Sequence, residues 1–283
     1  MKPQKRKPGR KPVASELRHR INAGRVAVKN QIAFFESQFG QVESQWKEDE
    51  TRVTFVDFAI SEKVFTELRR SFPHDDYCSE ESNPEDEVVP LEAEYAWIID
   101  PIDGTNNYAL GIPMCSISLA LLRNGEPVYG YIYDYARHTL IEGGEGEGVL
   151  DGTRKARVVT TEPTAQSHFA TNFPFAPEDL TRVRPLLEYY RVRSFGSAAM
   201  NLAYTAVGKL EACVDFRVKL WDVAAGFALI KAGGGEIAYL DGEPMFPLDA
   251  FHVHMPPVRY VAGNPAFCRR VLDVYRGEAQ AEA

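Results

Sequence analysis

Cysteine is scarce in this sequence and widely scattered. Of 283 residues only four are cysteine, Cys78, Cys115, Cys213 and Cys268, and no two form a C-x-x-C pair. Neither a cysteine-ligated zinc site nor a disulfide framework is indicated, and reduced, buried thiols are expected. Long apolar runs are missing too. No stretch approaches the roughly 18 to 20 residues that span a bilayer, and no signal-peptide hydrophobic segment follows the basic N-terminus. A soluble, cytoplasmic protein without a membrane partner is expected. Several catalytic signatures are also absent. The six histidines contain no H-E-x-x-H pattern, and Ser197 has no G-x-S-x-G elbow around it. Gly144-Glu145-Gly146-Glu147-Gly148 lacks the G-x-G-x-x-G spacing and reads as a hairpin turn. No repeat of solenoid period and no long linker interrupts the chain.

What is present suffices for a sizeable core: 45% of residues are hydrophobic and 25% charged, enough for one large domain or two closely packed halves. The net charge of −8 is unevenly spread. Lys2, Lys5, Arg6, Lys7, Arg10 and Lys11 place six cations and no acid in the first twelve residues, which leaves −14 on the remainder. Such an acidic body is a poor match for a phosphate backbone. Nucleic acid as a partner is compatible only with the basic tail, whose composition is better read as a disordered, solubilising segment.

Leu17, Ile21, Gly24, Val28, Ile32, Phe35 and Phe39 recur at three- and four-residue steps and predict a long N-terminal helix. A second helix is expected from Asp57 as N-cap, burying Ile60, Val64 and Leu68 and stopping before Pro73. A buried strand is expected to run from Tyr95 and end at Asp100. Residues 115–122 and 127–133 flank Asn124-Gly125, a strong short-range hairpin signal. In the second half, helices are predicted over 178–190, from Ser197, and from Asp222 as N-cap to Gly233-Gly234-Gly235, with a strand over 212–216 between the last two.

The chemistry concentrates in Trp97-Ile98-Ile99-Asp100-Pro101-Ile102-Asp103-Gly104-Thr105, where two acids three residues apart follow an apolar strand. Asp-Pro-x-Asp-Gly also suits a plain turn, yet a turn has no need to hold Asp100 at the edge of a core. Oxygen-only donors favour a hard cation such as magnesium, which typically takes one or two carboxylates plus water and substrate phosphate. Asp100 and Asp103 would face such an ion, with the Ile102 carbonyl as a further oxygen. Gly104 and Thr105 would open a helix whose free N–H groups favour phosphate. Glu81, in Ser79-Glu80-Glu81-Ser82, and Asp222, in Leu220-Trp221-Asp222-Val223-Ala224-Ala225-Gly226, are candidate additions. Taken alone, the first is more often a solvated charged loop and the second more often simply a helix N-cap.

With these motifs together, the chain resembles the inositol monophosphatase family, within the lithium-sensitive, magnesium-dependent phosphatase superfamily that also holds fructose-1,6-bisphosphatases and bisphosphate nucleotidases. The likeness covers roughly residues 14–275 and rests on the W-I-I-D-P-I-D-G-T and W-D-x-A-A-G blocks with an acidic loop before the first. It implies an α/β layered sandwich of alternating helix and sheet layers, with a tail (1–13), an N-terminal α+β subdomain bearing the metal loop (14–165), a C-terminal α/β subdomain (166–275) and a short flexible end (276–283). It also implies a Mg2+ site made by Glu81, Asp100, Asp103, Asp222 and the Ile102 carbonyl. Glu81 and Thr105 would orient the attacking water, with Asp103, Lys47 and Asp57 beside the metals. Gly104, Thr105, Gly196, Ser197, Ala198 and Asp222 would line the substrate, and Asp215 would hold a substrate hydroxyl, unless it pairs with Arg217 or Lys219. The implied activity is hydrolysis of a small phosphorylated metabolite, inositol-1-phosphate first. Histidinol phosphate, fructose-1,6-bisphosphate, a 3'(2'),5'-bisphosphate nucleotide and a noncatalytic binding role stay open, as does a homodimer. Asp215 replaces the glutamate of animal members, shortening that reach by one methylene.

Overall fold

The computed structural model describes residues 13–46, 52–81, 88–241 and 243–279. Helix α1 (Val13–Gln38) opens the fold, and a small antiparallel pair, β1 (Gln45–Trp46) and β2 (Arg52–Val53), leads into α2 (Phe55–Ser71). Then come β3 (Asp76–Ser79), β4 (Val89–Pro90), β5 (Tyr95–Asp103) and the short α3 (Thr105–Leu110). A meander follows through β6 (Ser116–Arg123), β7 (Glu126–Asp134), β8 (Thr139–Gly144), β9 (Gly148–Asp151) and β10 (Arg154–Ala156). The second half holds β11 (His168–Ala170), α4 (Pro177–Tyr189), β12 (Arg191–Arg193), α5 (Ala198–Ala206) and β13 (Ala212–Val218). It closes with α6 (Leu220–Ala232), β14 (Glu236–Tyr239), β15 (Ala250–Phe251), β16 (Val258–Gly263) and α7 (Pro265–Arg276).

The strands form a seven-stranded sheet, in the order β10-β9-β8-β7-β6-β5-β3, and a five-stranded sheet, β12-β11-β13-β16-β14. In the first sheet only β3 lies parallel to its neighbour, β5; the other pairs are antiparallel. Period-two alternation then decides the layers. On β5, Trp97 and Ile99 join a core with Ile21, Val28 and Phe35 of α1 and Ile60, Val64 and Leu68 of α2. Ala96 and Ile98 point the other way, into a core with α5 and α6. The second sheet repeats the pattern: Cys213, Tyr260 and Ala262 face that same central core, while Val214, Phe216 and Val261 face α4 and α7. The result is five layers, helices and sheets alternating, as the resemblance implied. All four cysteines are free and buried. Among the described residues no helix is long and apolar enough to cross a membrane.

Local physics accounts for the elements and for three departures from expectation. Asn124 and Gly125 both take positive φ, 50° and 78°, which is the turn that joins β6 to β7 with the twist a hairpin needs. Helix α2 begins earlier than expected. Thr54 is its N-cap, and Asp57 stands three residues later, its carboxylate accepting from the Thr54 N–H at 2.7 Å. The same shift recurs at α6, where Lys219 is the N-cap and Asp222 Oδ2 accepts from the Lys219 N–H at 2.7 Å. Both acids were expected as N-caps; each instead reaches back from the first turn, as the acidic half of a capping box does. The third departure is β5, which continues past Asp100 to Asp103 with an irregular register.

Gly130 fixes how closely α6 lies on the first sheet. A Cβ at this position would stand 2.2 Å from the Ala225 carbonyl oxygen, so helix and strand backbones meet where only hydrogen fits. Gly130→Ala is expected to cost about 2 kcal/mol or more of folding stability, at the upper part of the range for overpacking, because a backbone group cannot rotate away. Chemical denaturation of the variant tests this, and an unchanged midpoint would show that α6 rides further from the sheet.

Candidate active site

Asp100 pairs with Ser118 and Asp103 with Ser116, so three residues on β5 oppose two on β6. That one-residue bulge matters, because strict alternation would send residues three apart to opposite faces of the sheet. Here both acids line one cavity of 170 Å³, together with Glu80, Asp222, Ile102, Gly104, Thr105, Asn106, Gly196 and Arg52. Glu80 arrives from β3. The parallel register pairs Ser79 with Ile99, and the Glu80 amide continues the ladder to the Ile99 carbonyl, which sets Glu80 beside Asp100. Asp222 arrives from the first turn of α6. A larger cleft of 660 Å³ is bordered by residues 91–94 and 247–249, but its acids, Glu92, Glu94 and Asp249, are exposed, whereas Asp100 and Asp103 are buried.

The structure therefore brings Glu80, and not Glu81, to the acid cluster. Glu81 lies one residue further along in the turn that follows β3, its amide donating to Ser79 Oγ at 3.2 Å, and is not among the residues that line the cavity. Thr105 is in place, its hydroxyl donating to the Ile102 carbonyl at 2.8 Å. Gly104 and Gly196 are cavity walls. At Gly104, with φ of 86°, a Cβ would lie 2.9 Å from the Met114 carbonyl oxygen, so only glycine fits there. Ser197 and Ala198 are buried behind the wall, where the Ser197 hydroxyl donates to Asp103 Oδ2 at 2.9 Å and the Ala199 amide donates to the same oxygen.

Asp215 is not among the cavity-lining residues. It is buried, accepting from the Asn172 amide at 2.9 Å and the Tyr260 hydroxyl at 3.1 Å, and it pairs with neither Arg217 nor Lys219. Lys47 lies outside the described residues. Arg52 and Asn106 line the cavity without having been singled out. The signal available for Arg52 was a cation two residues ahead of the Thr54-Phe55-Val56-Asp57 helix start.

Burial and mutual repulsion govern the ionisation of these acids. Desolvation, then the charges of Glu80, Asp103 and Asp222, drives the Asp100 carboxyl well above its ordinary range. Asp222 is driven up by burial and then by Asp103 and Glu80, and Asp100 stands within hydrogen-bonding reach of it. Asp103 is pushed up to about 6 by burial, against the lowering effect of the Ala199, Ser197 and Ala198 donors. Asp215 is pushed up to about 7 by burial, against the lowering effect of its Asn172 and Tyr260 donors. Among the described residues no three acidic, imidazole or thiol side chains converge at metal-ligand distance as they stand. The chemistry of the donors nevertheless fits a hard cation: they are all oxygen, and two carboxyls in mutual hydrogen-bonding reach cannot both ionise without one.

Helix and sheet layers that alternate around an acidic cavity define the class as a layered α/β architecture. The chain belongs to the inositol monophosphatase family, whose model matches residues 17–272. It is 29% identical over 230 residues to the Nus factor SuhB of Pasteurella multocida, covering 78% of this chain and 81% of that protein. It is 32% identical over 196 residues to the inositol-1-monophosphatase of Mesorhizobium japonicum, covering 67% and 73% respectively. The solved Thermotoga maritima IMPase superposes with a TM-score of 0.78 at 25% identity, over 92% of this chain and 98% of that one. An IMPase/NADP phosphatase solved with Mg2+ and phosphate shares the fold, with a TM-score of 0.75 at 23% identity over 93% and 96% of the two chains.

An acid whose folded pKa lies above the unfolded value of 3.8 holds its proton more tightly in the native state. Without a cation, its contribution is therefore favourable at low pH and is lost as pH rises from about 4 through the folded value. Asp100→Asn, which removes the charge and keeps an oxygen for the Ile102 amide, should raise the melting temperature in chelator. The gain over wild type should be small near pH 4.5 and larger near pH 8. Thermal melts at both pH values check this, and an equal gain at both would mean that Asp100 ionises freely in the fold.

Proposed function

We propose that this chain is a Mg2+-dependent phosphomonoesterase that acts in the cytoplasm on a small phosphorylated metabolite, with inositol-1-phosphate the favoured substrate and Li+ an inhibitor. The observation that carries the reading is the single cavity in which β3, the β5 bulge and the start of α6 assemble Glu80, Asp100, Asp103 and Asp222. The family membership supports the substrate class.

In this reading Asp100, Asp222, the outer oxygen of Asp103 and the Ile102 carbonyl hold the cation. Magnesium supplies neutralisation of phosphoryl charge and acidification of water. The Thr105 hydroxyl donates its hydrogen bond to the Ile102 carbonyl, so its oxygen is left to accept one from the attacking water. Glu80, at the edge of the ladder beside Asp100, is the carboxylate placed to take that water's proton. Asp103 cannot swing, because one oxygen is held by Ser197 and Ala199. The protein's share of catalysis is positioning and charge balance, as phosphoryl transfer requires.

A second reading rests on two facts: relatives of this chain carry the name Nus factor, and six cations sit in its first twelve residues. In it the fold is a noncatalytic module that recruits nucleic acid or another partner through its tail.

Phosphate release from a panel of inositol-1-phosphate, histidinol phosphate, fructose-1,6-bisphosphate and a 3',5'-bisphosphate nucleotide separates these readings. Turnover is expected with Mg2+ and not in excess chelator. Asp222→Asn should lower it by roughly two orders of magnitude or more, as loss of one preorganised charge group does. Glu80→Gln should lower turnover similarly while Glu81→Gln leaves it within a few-fold, and the reverse ranking would move the catalytic acid to Glu81. Activity that survives chelation would contradict the metal mechanism.

A further inference from the structure

Arg52 is the one cation among the described residues that line the acidic cavity. It stands on β2 directly opposite Trp46 of β1, and its guanidinium carbon lies 4.4 Å from the centre of that indole ring. Nη1 donates to Ser44 Oγ at 2.9 Å. Nε is buried and has no hydrogen-bond partner among the described residues. The group is therefore oriented on one face by an aromatic ring and on one edge by a serine, while part of its fork has nothing to bind.

That arrangement is unlike an arginine placed to neutralise the acids. Such a residue would pair with a carboxylate, yet its hydrogen bond goes to Ser44 instead. Nor does a guanidinium suit the neighbourhood of a divalent cation unless an anion stands between them. A buried N–H without a partner is costly, and an incoming anion would recover that cost. Two oxygens of a phosphate match the arginine fork in two parallel bonds, and a pre-oriented guanidinium loses little entropy in making them.

We propose that Arg52 is a specificity-determining residue that binds phosphate oxygen of the substrate through the edge that includes Nε. The inference rests on the phosphatase reading for its setting, and adds a cationic contact that the carboxylate cluster does not require. The phosphate is either the reacting group or a second phosphate on the same metabolite, and the two sources are separable.

Isothermal titration of inorganic phosphate into Mg2+-saturated wild type, Arg52→Lys and Arg52→Gln measures the contact directly. KM and kcat are then compared for inositol-1-phosphate and a 3',5'-bisphosphate nucleotide. If Arg52 holds the reacting phosphate, Arg52→Gln should weaken inorganic phosphate about tenfold and raise KM for both esters, with Arg52→Lys between, since an ammonium cannot bind bidentately. If it holds a second phosphate, only KM for the bisphosphate should rise about tenfold. Unchanged phosphate affinity together with unchanged KM for both esters would overturn the proposal and leave Arg52 as packing for Trp46. So would a change confined to kcat or to the Mg2+ concentration required. A wild type that hydrolyses none of the four esters of the panel would sink the phosphatase reading, while the phosphate titration would still decide the role of Arg52. Absence of phosphate binding by that wild type would overturn both.

Discussion

Asp103 Oδ2, at the end of β5, accepts hydrogen bonds from the Ser197 hydroxyl and the Ala199 amide at the start of α5, so an acid of the first sheet caps a helix of the central layer. The contact satisfies helix donors that would otherwise be orphaned, and it places negative charge at a helix N-terminus where the dipole favours it. Asn107 reinforces the junction by donating to the Met114 and Phe195 carbonyls, both at 2.7 Å. Together these bonds lock the loop after β5 to the loop before α5. Asp103 can be buried because several donors surround it. Among the described residues Asp100 accepts from the Ile102 amide and Asp222 from the Lys219 amide, fewer donors than surround Asp103, so the cluster as a whole is short of compensating charge. A buried carboxylate short of partners must take a proton or a cation.

The spacing among these acids is set by backbone packing more than by side-chain reach. Asp222 is carried by α6, which presses on β7 so closely that Gly130 cannot bear a side chain. Asp100 and Asp103 share a face because β5 holds one extra residue against β6. Glu80 follows from the register of a parallel pair. None of the four acids depends on a long loop for its position, which suits a site whose chemistry demands fixed geometry.

Much of this was legible in the residues. The stripe on α1, the Asn124-Gly125 hairpin and the two acids after an apolar strand are local signals, and each is written in a few consecutive positions. The errors have a common physical origin. Asp57 and Asp222 look like N-caps because acids favour helix starts, but a capping box places the acid three residues in, and sequence alone does not say which residue gives the first turn. Glu80 and Glu81 are chemically identical, and only the pairing of β3 with β5, a contact across about twenty residues, decides which faces the cavity. The β3 strand itself is short, and its parallel partner leaves no hairpin signal. Arg52 was overlooked because its meaning lies in Trp46 and Ser44, on the partner strand and just before it.

Asp215 is one methylene shorter than the glutamate that the resemblance implies at its position. The resemblance assigned it a substrate hydroxyl, on the strength of its place seven residues before Asp222. In the fold its two oxygens take the Asn172 amide and the Tyr260 hydroxyl, and the Asn172 side chain in turn accepts from the Gly196 amide at 3.2 Å. Asp215 thus reaches the cavity wall through Asn172 and Gly196 without lining the cavity itself. An aspartate with two strong donors gains little by leaving them for a solvent-borne hydroxyl, because abandoning a buried amide costs more than a replaceable polar contact returns. The groups that do line the cavity are a different set from Asp215 and its donors. Among these, Arg52 brings a positive charge, which answers to anionic groups where a carboxylate would answer to hydroxyls.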